Sequence, residues 1–462
     1  MNIYQHVENV IRELDSKLLL ATLAAARGHQ VIVSDLESIE KGIIRGVLAP
    51  GIFHTKSLTP TTPKIARHQA MINNGTLITS IDEEGGLIMN NYDDDDFAST
   101  RYSEQTVEQS SAIFGWGPQD VQFLKQLYSK HSSKMHKTGS PRADLWKSVF
   151  SDYWGVPKGV PKKPFLLVVS NMSYANYIRP FDDIIKSNRK SGYYDRSPKM
   201  FLDEFGRAAE DYRKTAAFIE AIKHLSENNN GYDIVFRPHQ NEKIDSWKVY
   251  LEGIPNVHVI REGSITAWVN NAFAIMHNSC TTALEATVSH KPLVTYIPFE
   301  QDYGYELPNE LGYQVVSKEE LLNKVNDLFD DIKINDQKDL DKPIPEQVSK
   351  KIYIDKSELA AEKIIKVWES LASDDNIFSK SSNLILFKIL LKIMKFNGMI
   401  GRVLRRFSKS KFRVEKENFK FPSLDSHDIC ERVNRLKRVL GINEKIECKL
   451  LSERTILIKR YR

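Results

Sequence analysis

Two segments of the sequence place polar side chains directly after predicted β-strands. In the first, IVFRPHQNE (234–242), two basic side chains follow an apolar run, and in the second, MHNSCTTALEATVSHKPLVTY (276–296), hydroxyl residues open a predicted helix. Open parallel α/β sheets bind their ligands beyond the carboxyl ends of the strands. The sequence therefore predicts a ligand site formed by Arg237, His239, Asn278, Ser279, Thr281, Thr282 and Glu285.

The chemistry expected at this site is the binding of a nucleotide phosphate. The backbone N–H groups and hydroxyl groups at the start of the predicted helix can donate hydrogen bonds to phosphate oxygens. Arg237 and His239 can do the same as negative charge develops on a leaving nucleotide, while Glu285 lies within reach of a ribose. The structural alternative is that Pro238 merely ends the strand and leaves His239 in an exposed loop.

A third segment, TLITSIDEEGG (76–86), delivers three carboxylates to the end of another predicted strand. Sugar transfer requires a carboxylate that deprotonates the acceptor hydroxyl or forms a glycosyl intermediate. Because alternate residues of an extended chain share a face, Asp82 and Glu84 are the leading catalytic candidates, and Glu83 is expected to take another role. The alternative is a solvated acidic loop.

The elements predicted around these residues alternate between strand and helix. In the first half, strands are expected at 29–35, 46–50, 76–82 and 111–117, with helices at 15–27, 63–75 and 118–130. In the second half, strands are expected at 164–171, 232–239, 257–260, 272–277 and 293–298, with helices at 205–228 and 279–290. This alternation predicts parallel, doubly wound sheets.

The Pro-, Gly- and Lys-rich stretch GVPKGVPKKP (155–164) predicts an interdomain linker. It separates an N-terminal Rossmann-like domain (1–153), expected to hold the acceptor and the catalytic residues, from a C-terminal Rossmann-like donor domain (164–330). A linker and a crossover helix that returns to the first domain are expected over 331–374. A basic amphipathic region follows over 375–462. The expected fold class is α/β, with two Rossmann-like domains and a small C-terminal appendage.

The composition bounds the setting and the partners of the chain. Hydrophobic residues make up 41% and charged residues 27% of the 462, which is typical of globular domains. Three unpaired cysteines and an N-terminus without an apolar core predict a cytoplasmic protein. The net charge of +5 is mild, and no nucleic-acid partner is expected. Residues 383–413, basic and free of acidic side chains, predict either contact with an anionic membrane surface or an amphipathic helix docked on the protein.

The strand end Arg-Pro-His and the later Asn-Ser-x-x-x-x-Leu-Glu segment resemble the donor-binding domain of GT-B glycosyltransferases. Within that fold, residues 15–330 are similar to bacterial surface-carbohydrate biosynthesis proteins related to retaining Kdo transferases and, more distantly, to sialyltransferases and teichoic-acid glycerophosphate polymerases. KTGSPRADLW (137–146) resembles the Gly-x-Pro-Arg segment that closes the first domain of those polymerases, which implies cleft roles for Pro141 and Arg142. The chain departs from these relatives at Gln240, where they carry proline after histidine.

This resemblance implies a nucleotide-sugar donor, with CMP as the nucleotide, and transfer of Kdo or another nonulosonate to a saccharide or lipid-linked acceptor. Such an enzyme builds a surface polysaccharide, lipopolysaccharide or capsule at the inner membrane face. Three alternatives remain: a polyol-phosphate transferase that uses CDP-glycerol or CDP-ribitol, a nucleotide-sugar epimerase, and a non-catalytic polysaccharide-binding factor.

No metal and no separate cofactor are expected at the site. GT-B enzymes generally stabilise the leaving phosphate with a helix N-terminus and basic side chains instead of a metal. The four aspartates at 93–96 are therefore interpreted as a solvated loop, although other glycosyltransferases hold Mg²⁺ or Mn²⁺ with an Asp-x-Asp motif. His54, His68 and His277 lack the spacing of metal ligands.

Overall fold

The structure is a computed structural model that describes residues 1–85, 100–190, 192–195, 198–334, 343–373, 381–405 and 420–461. The described residues fall into two compact units. The first comprises 1–85, 100–145 and 349–461, and the second comprises 146–348. The predicted linker at 155–164 lies within the second unit and contains neither helix nor strand.

The strands of the described residues are β1 (Asn2–His6), β2 (Gln30–Ser34), β3 (Ile52–Thr55), β4 (Leu77–Ile81), β5 (Ala112–Gly115), β6 (Met135–Lys137), β7 (Phe165–Val169), β8 (Asp233–Arg237), β9 (Val257–Val259), β10 (Ala274–His277), β11 (Leu293–Tyr296), β12 (Tyr313–Val315), β13 (Ile446–Ser452) and β14 (Thr455–Arg460).

The α-helices of the same residues are α1 (Val10–Ala26), α2 (Leu36–Ile44), α3 (Thr62–Asn73), α4 (Glu104–Glu108), α5 (Pro118–Leu127), α6 (Pro141–Asp144), α7 (Ser151–Trp154), α8 (Ser173–Asn176), α9 (Phe181–Lys190), α10 (Pro198–Asn228), α11 (Ile244–Tyr250), α12 (Ile265–Asn271), α13 (Thr282–Val288), α14 (Glu306–Asn309), α15 (Lys318–Ile334), α16 (Glu346–Lys351), α17 (Ala360–Ser373), α18 (Leu384–Arg405) and α19 (Ser426–Val439).

Each unit is built on one sheet. In the described residues of the first unit, the strand order is β13-β14-β2-β1-β3-β4-β5-β6, and β1 to β6 are parallel. The second sheet has the order β12-β11-β10-β7-β8-β9 and is parallel throughout. Parallel sheets are covered by helices on both faces, which explains their continuous apolar strands. The expected α/β class with two Rossmann-like domains is confirmed.

Among β1 to β12, the sequence misplaced one strand and missed three, which are β1, β6 and β12. Residues 46–50, expected to form a strand, instead close the C-terminus of α2, where the N–H groups of Val47 and Leu48 donate to Gly42 O and Gly46 takes φ +66°. The strand of this region is β3, which begins two residues after the end of the predicted one. β1 escaped prediction because polar Asn2, Gln5 and His6 interrupt it, although all its residues are buried.

The C-terminal residues extend the first unit. Strand β14 pairs antiparallel with β2, and β13 pairs with β14, so this hairpin forms one edge of the first sheet. The expected crossover helix corresponds to α17, where the indole N–H of Trp368 donates to Thr79 Oγ1 at 3.1 Å. The sequence predicted these residues only as part of a small C-terminal appendage, because local patterning does not reveal which distant strand an edge strand will pair with.

A core truncation tests whether the C-terminal hairpin is integral to the first unit. Leu457 on β14 is fully buried in an apolar cluster with Tyr4 and Phe53. Leu457→Ala should therefore lower the free energy of unfolding by about 3 kcal/mol through lost burial and a cavity. Leu386→Ala, at a half-exposed position, is the matched control and should change it by less than about 1 kcal/mol. Equal effects in urea unfolding would contradict this placement.

Candidate functional site

The carboxyl ends of the parallel strands in the first unit gather charged residues at one edge of the sheet. Lys56 follows β3, and Asp82, Glu83 and Glu84 follow β4; we call the latter three the acidic turn. The start of α1 lies beside them, because the Glu13 carboxylate of that helix contacts Lys56 Nζ at 3.1 Å. The predicted catalytic residues thus occupy the ligand-binding edge of a parallel sheet.

Asp82 is buried and bound to Arg101 through both of its carboxylate oxygens. Arg101 Nε donates to Asp82 Oδ2 at 2.6 Å, and Nη2 donates to Oδ1. The indole N–H of Trp116 donates to the backbone carbonyl of Asp82 at 2.7 Å. A bidentate guanidinium–carboxylate pair is short-ranged and directional, so Asp82 is positioned to orient Arg101.

Glu84 is the exposed carboxylate of the acidic turn, with 51% of its side chain accessible. Arg12 Nη2 and Arg101 Nη1 each lie 3.3 Å from one of its two carboxylate oxygens. Partial burial opposes ionisation of Glu84, but the charges of Arg101, Arg12 and Lys56 outweigh it and lower its pKa. Glu84 therefore presents an ionised carboxylate to solvent at neutral pH.

Glu83 points away from its two neighbours into the first unit. Its carboxylate accepts a hydrogen bond from Lys17 Nζ at 2.6 Å, and the side chains of this pair are only 3% and 1% exposed. Arg142 donates from Nη1 to the backbone carbonyl of Glu83 at 3.1 Å and stacks over Trp116. The structure thus brings the acidic turn together with Arg142, and with α6, which begins at Pro141.

A carboxylate of the protein occupies the start of α1. Glu13 accepts hydrogen bonds from the backbone N–H groups of Glu8 at 2.8 Å and Asn9 at 3.3 Å, in addition to Lys56. Burial opposes its ionisation, but Lys56 and the N–H group of Glu8 lower the pKa of Glu13. Nucleotide phosphates bind at this place in many Rossmann-like domains. In this unit the Glu13 carboxylate already occupies the backbone N–H groups at that place.

In the second unit, the buried carboxyl group of Glu242 joins the ends of β7 and β8. It accepts hydrogen bonds from Ser170 Oγ at 2.7 Å, from the N–H of Met172 at 2.9 Å and from Trp247 Nε1 at 2.6 Å. Burial raises the pKa of Glu242 to about 7, against the opposing effect of these donors. Glu242 holds three segments in place and titrates near neutral pH.

His239 lies partly exposed beyond β8, with its backbone held by Ser170. The N–H of His239 donates to Ser170 Oγ at 2.9 Å. The ring atom Nδ1 accepts from the N–H of Asn241 at 3.3 Å and lies 3.2 Å from Ser173 Oγ. These contacts make Nδ1 an acceptor, which places the ring proton on Nε2. His239 can therefore donate a hydrogen bond from Nε2.

Arg237 is directed against the backbone of the loop after β9. Its guanidinium donates to the carbonyls of Arg261, Glu262 and Gly263 at 2.8 to 3.1 Å and stacks over the ring of Trp268. Burial lowers the pKa of Arg237 to about 10, and this side chain remains positively charged. In the structure Arg237 fixes a loop, and its contact with phosphate stays a prediction.

The side chains of Asn278 and Ser279 are buried and bind protein groups. Asn278 Nδ2 donates to the carbonyl of Tyr296 at 2.7 Å. Ser279, in the left-handed region at φ +50°, accepts from the N–H of Tyr305 through Oγ and donates its own N–H to Asn309 Oδ1. Gly304 approaches so closely that any side chain there would collide with Ser279. These two residues anchor the loop that precedes α14.

The threonines and the glutamate of the same segment differ in exposure. Thr281 is exposed at the start of α13, Thr282 is buried and accepts from Cys280 Sγ at 3.4 Å, and Glu285 is buried. Among these hydroxyl residues, Thr281 alone faces solvent. The helix has seven residues, so the contribution of its dipole is small.

Sequence reasoning missed Arg101, Lys17 and Glu242. Arg101 and Lys17 lie far along the chain from the carboxylates that they bind, and isolated basic residues carry no local signal. Glu242 had a usable signal, because it ends the IVFRPHQNE segment, but its role depends on contacts with Ser170 and Met172.

Metal ligands are not assembled in the part of the chain that the structure describes. Within it, no group of three His, Cys, Asp or Glu side chains is arranged to hold a metal ion. His54, His68 and His277 are buried, and burial lowers the pKa of each ring. The four aspartates at 93–96 lie outside the described residues.

Comparisons with known proteins find similar structures only. No family model and no curated protein matches the chain. The wall teichoic acid polymerase TagF is 8% identical, with 81% of this chain and 89% of that chain covered at a TM-score of 0.48. The UDP-GlcNAc 2-epimerase of Methanocaldococcus jannaschii is 13% identical (80% and 99% covered, TM-score 0.47). A glycosyltransferase of Rickettsia africae is 12% identical (81% and 99% covered, TM-score 0.44). These values are too low to transfer an activity.

The buried pair of Lys17 and Glu83 predicts strong coupling between two substitutions. Lys17→Met leaves the Glu83 carboxylate buried without its cation and should cost about 3–5 kcal/mol of unfolding free energy. The double variant Lys17→Met/Glu83→Leu removes both charges and should recover most of this loss. Urea unfolding of both single variants and the double variant measures the coupling. Additive losses would contradict a buried ion pair.

The raised pKa of Glu242 predicts a pH-dependent stability. A carboxyl group with a pKa of about 7 when folded and 4.5 when unfolded stabilises the protein below pH 4.5, and this contribution is lost as the pH rises through 7. Relative to Glu242→Gln, the wild type should lose about 3 kcal/mol across this range. If the unfolding free energies of the wild type and Glu242→Gln change equally with pH, the raised pKa of Glu242 is contradicted.

Proposed function

We propose that this chain is a glycosyltransferase that uses a nucleotide-activated sugar, with the donor bound by the second unit and the acceptor by the first. One observation carries the proposal: the carboxyl edges of the two sheets hold complementary chemistry. The first presents an ionised carboxylate, Glu84, oriented by arginines. The second presents the Nε2–H of His239 after β8 and an exposed hydroxyl residue, Thr281, after β10.

On the donor side, His239 stabilises the leaving phosphate. Its ring is held by Asn241 and Ser173 so that Nε2–H is directed away from these contacts, because both approach Nδ1. Negative charge develops on the phosphate oxygen as its bond to the anomeric carbon breaks, and a preoriented donor stabilises that charge. Glu242 maintains the geometry, since it binds the serine that holds the His239 backbone.

On the acceptor side, Glu84 removes the proton of the attacking hydroxyl. The hydroxyl oxygen forms a bond to the anomeric carbon, the electron pair of the broken bond goes to the nucleotide phosphate, and the proton goes to the Glu84 carboxylate. Arg101 and Arg12 keep Glu84 ionised before the reaction. Asp82 is a positioning residue for Arg101, and Glu83 is structural.

The finer proposal concerns the donor and the acceptor. We propose a CMP-linked donor that carries Kdo or another nonulosonate, and a saccharide or lipid-linked acceptor of a surface polysaccharide, without a metal or separate cofactor. This proposal rests on the likeness of the Arg-Pro-His and Asn-Ser-x-x-x-x-Leu-Glu segments to GT-B donor domains.

Nucleotide binding is the first test. The melting temperature of the full-length protein is measured with CMP, CDP, UDP, GDP and ADP, because a ligand that binds the native state stabilises it. CMP should raise the melting temperature, and His239→Ala should abolish that rise. His258→Ala is the matched control and should leave the rise intact. His258 pairs with Asp233 at the start of β8, whereas His239 lies beyond the other end of that strand.

Each outcome of the nucleotide screen decides between alternatives. Preference for CDP favours a transferase of CDP-glycerol or CDP-ribitol, and preference for UDP favours a hexose transferase or an epimerase. An epimerase turns over its nucleotide sugar without any acceptor. A melting temperature that responds to no nucleotide contradicts the proposed function.

Loss of the acceptor base is the second test. Glu84→Gln should reduce turnover by about 100-fold or more while the melting temperature stays unchanged, since the side chain is half exposed. Glu37→Gln, on the exposed side of α2, is the control and should retain full activity. Full turnover in Glu84→Gln would remove Glu84 from the reaction.

A further inference from the structure

Helix α18 has two apolar faces, and only one of them is buried. The buried face packs into the core of the first unit beside α2 and consists of Leu384, Phe387, Leu390, Leu391 and Met394. The second face is exposed to solvent by 48 to 75% per residue and consists of Ile385, Leu386, Ile389, Ile393 and Phe396. A helix of a globular protein needs one apolar stripe to dock, so the second stripe is in excess.

The exposed residues of α18 form a contiguous surface. Ile385, Ile389, Ile393 and Phe396 follow one another at spacings of four, four and three residues, which aligns them on one side of a helix. We call these four residues, with Leu386 beside them, the exposed stripe. Exposed apolar residues of soluble proteins are normally scattered singly, and a contiguous group marks an interaction surface.

A row of lysines runs along the exposed stripe. Lys388, Lys392 and Lys395 also recur at spacings of four and three residues, on the arc between the stripe and the buried face. Lys395 contacts the Glu453 carboxylate of the β13–β14 turn at 2.7 Å, and Lys388 and Lys392 are exposed. No acidic residue occurs from 382 to 413. The surface therefore combines apolar bulk with one sign of charge.

We propose that the exposed stripe of α18 inserts into the interface of an anionic lipid bilayer. Isoleucine and phenylalanine side chains bury apolar area at the boundary of headgroups and acyl chains, while the flanking lysines contact lipid phosphates. The lysine row argues against a second copy of the chain as the occupant, because like charges would meet across a symmetric interface. An anionic bilayer satisfies both the apolar and the basic part of the surface.

The bound helix lies parallel to the membrane and does not cross it. Its opposite face is already committed to the protein core through Phe387 and Leu390. None of the helices in the described ranges is long and apolar enough to span a bilayer. Bilayer binding requires neither donor nor acceptor, so this inference stands or falls independently of the proposed glycosyl transfer.

Vesicle sedimentation of the full-length protein tests the inference. The wild type should bind vesicles of phosphatidylcholine mixed with phosphatidylglycerol, bind phosphatidylcholine alone weakly, and lose affinity at high salt. Ile389→Ser/Ile393→Ser/Phe396→Ser should reduce the partition coefficient at least about tenfold, because the apolar area is lost. Lys388→Glu/Lys392→Glu should have an effect of similar size, confined to the anionic vesicles.

Matched substitutions elsewhere control for nonspecific effects. Leu202→Ser and Lys223→Glu change side chains of helix α10 that are 68% and 64% exposed, and both variants should bind like the wild type. The α18 variants should keep the wild-type melting temperature because the substituted side chains are exposed.

Two results would overturn the inference. The first is equal binding of the wild type to anionic and neutral vesicles, or binding to neither. The second is a wild-type dimer in analytical ultracentrifugation that the triple serine variant converts to a monomer while its vesicle binding is unchanged. That result would assign the exposed stripe to a second copy of the chain.

Discussion

The buried ion pair between Lys17 and Glu83 is the constraint on which the candidate acceptor site depends. Because Glu83 is drawn into the first unit by a lysine of α1, its two neighbours are directed elsewhere. Asp82 then binds Arg101, and Arg101 together with Arg12 holds Glu84 as an ionised carboxylate at the surface. Three adjacent acidic residues therefore have three different tasks, and the difference follows from the partner that each one finds.

Glu242 has the corresponding position in the second unit. It binds Ser170, Met172 and Trp247, and Ser170 in turn holds the backbone of His239. In both units, a buried carboxyl group just past a strand end fixes the residues around it. Glu84 and His239 are the side chains proposed to touch substrate. Glu84 is held by Arg101, which Asp82 binds, and the backbone of His239 is held by Ser170, which Glu242 binds. Rigid support of this kind is what preorganised catalysis requires.

Most strands could be predicted from the sequence because they are apolar, β-branched runs. The polar residues at the carboxyl ends of the strands could be located as well, because they directly follow those runs. The sequence did not show which protein groups individual side chains bind. In the structure Ser279 binds the Tyr305 loop and Arg237 binds backbone carbonyls, and the predicted contact of both with a phosphate stays a prediction. A backbone pattern shows where a residue lies along a strand, but the direction of its side chain depends on distant loops that pattern reasoning does not place.

The position of bound nucleotide tests most directly whether the second unit holds the donor. Hydrogen–deuterium exchange of the full-length protein is compared with and without saturating CMP, and with CDP, UDP, GDP and ADP in parallel. If the donor binds the second unit, exchange should be slower at 170–174, 239–242 and 278–285, where His239 and Thr281 lie. Exchange should stay unchanged at Glu8 and Asn9, whose N–H groups already bind Glu13. Protection at the start of α1, or no protection by any nucleotide, would contradict the assignment of the donor to the second unit.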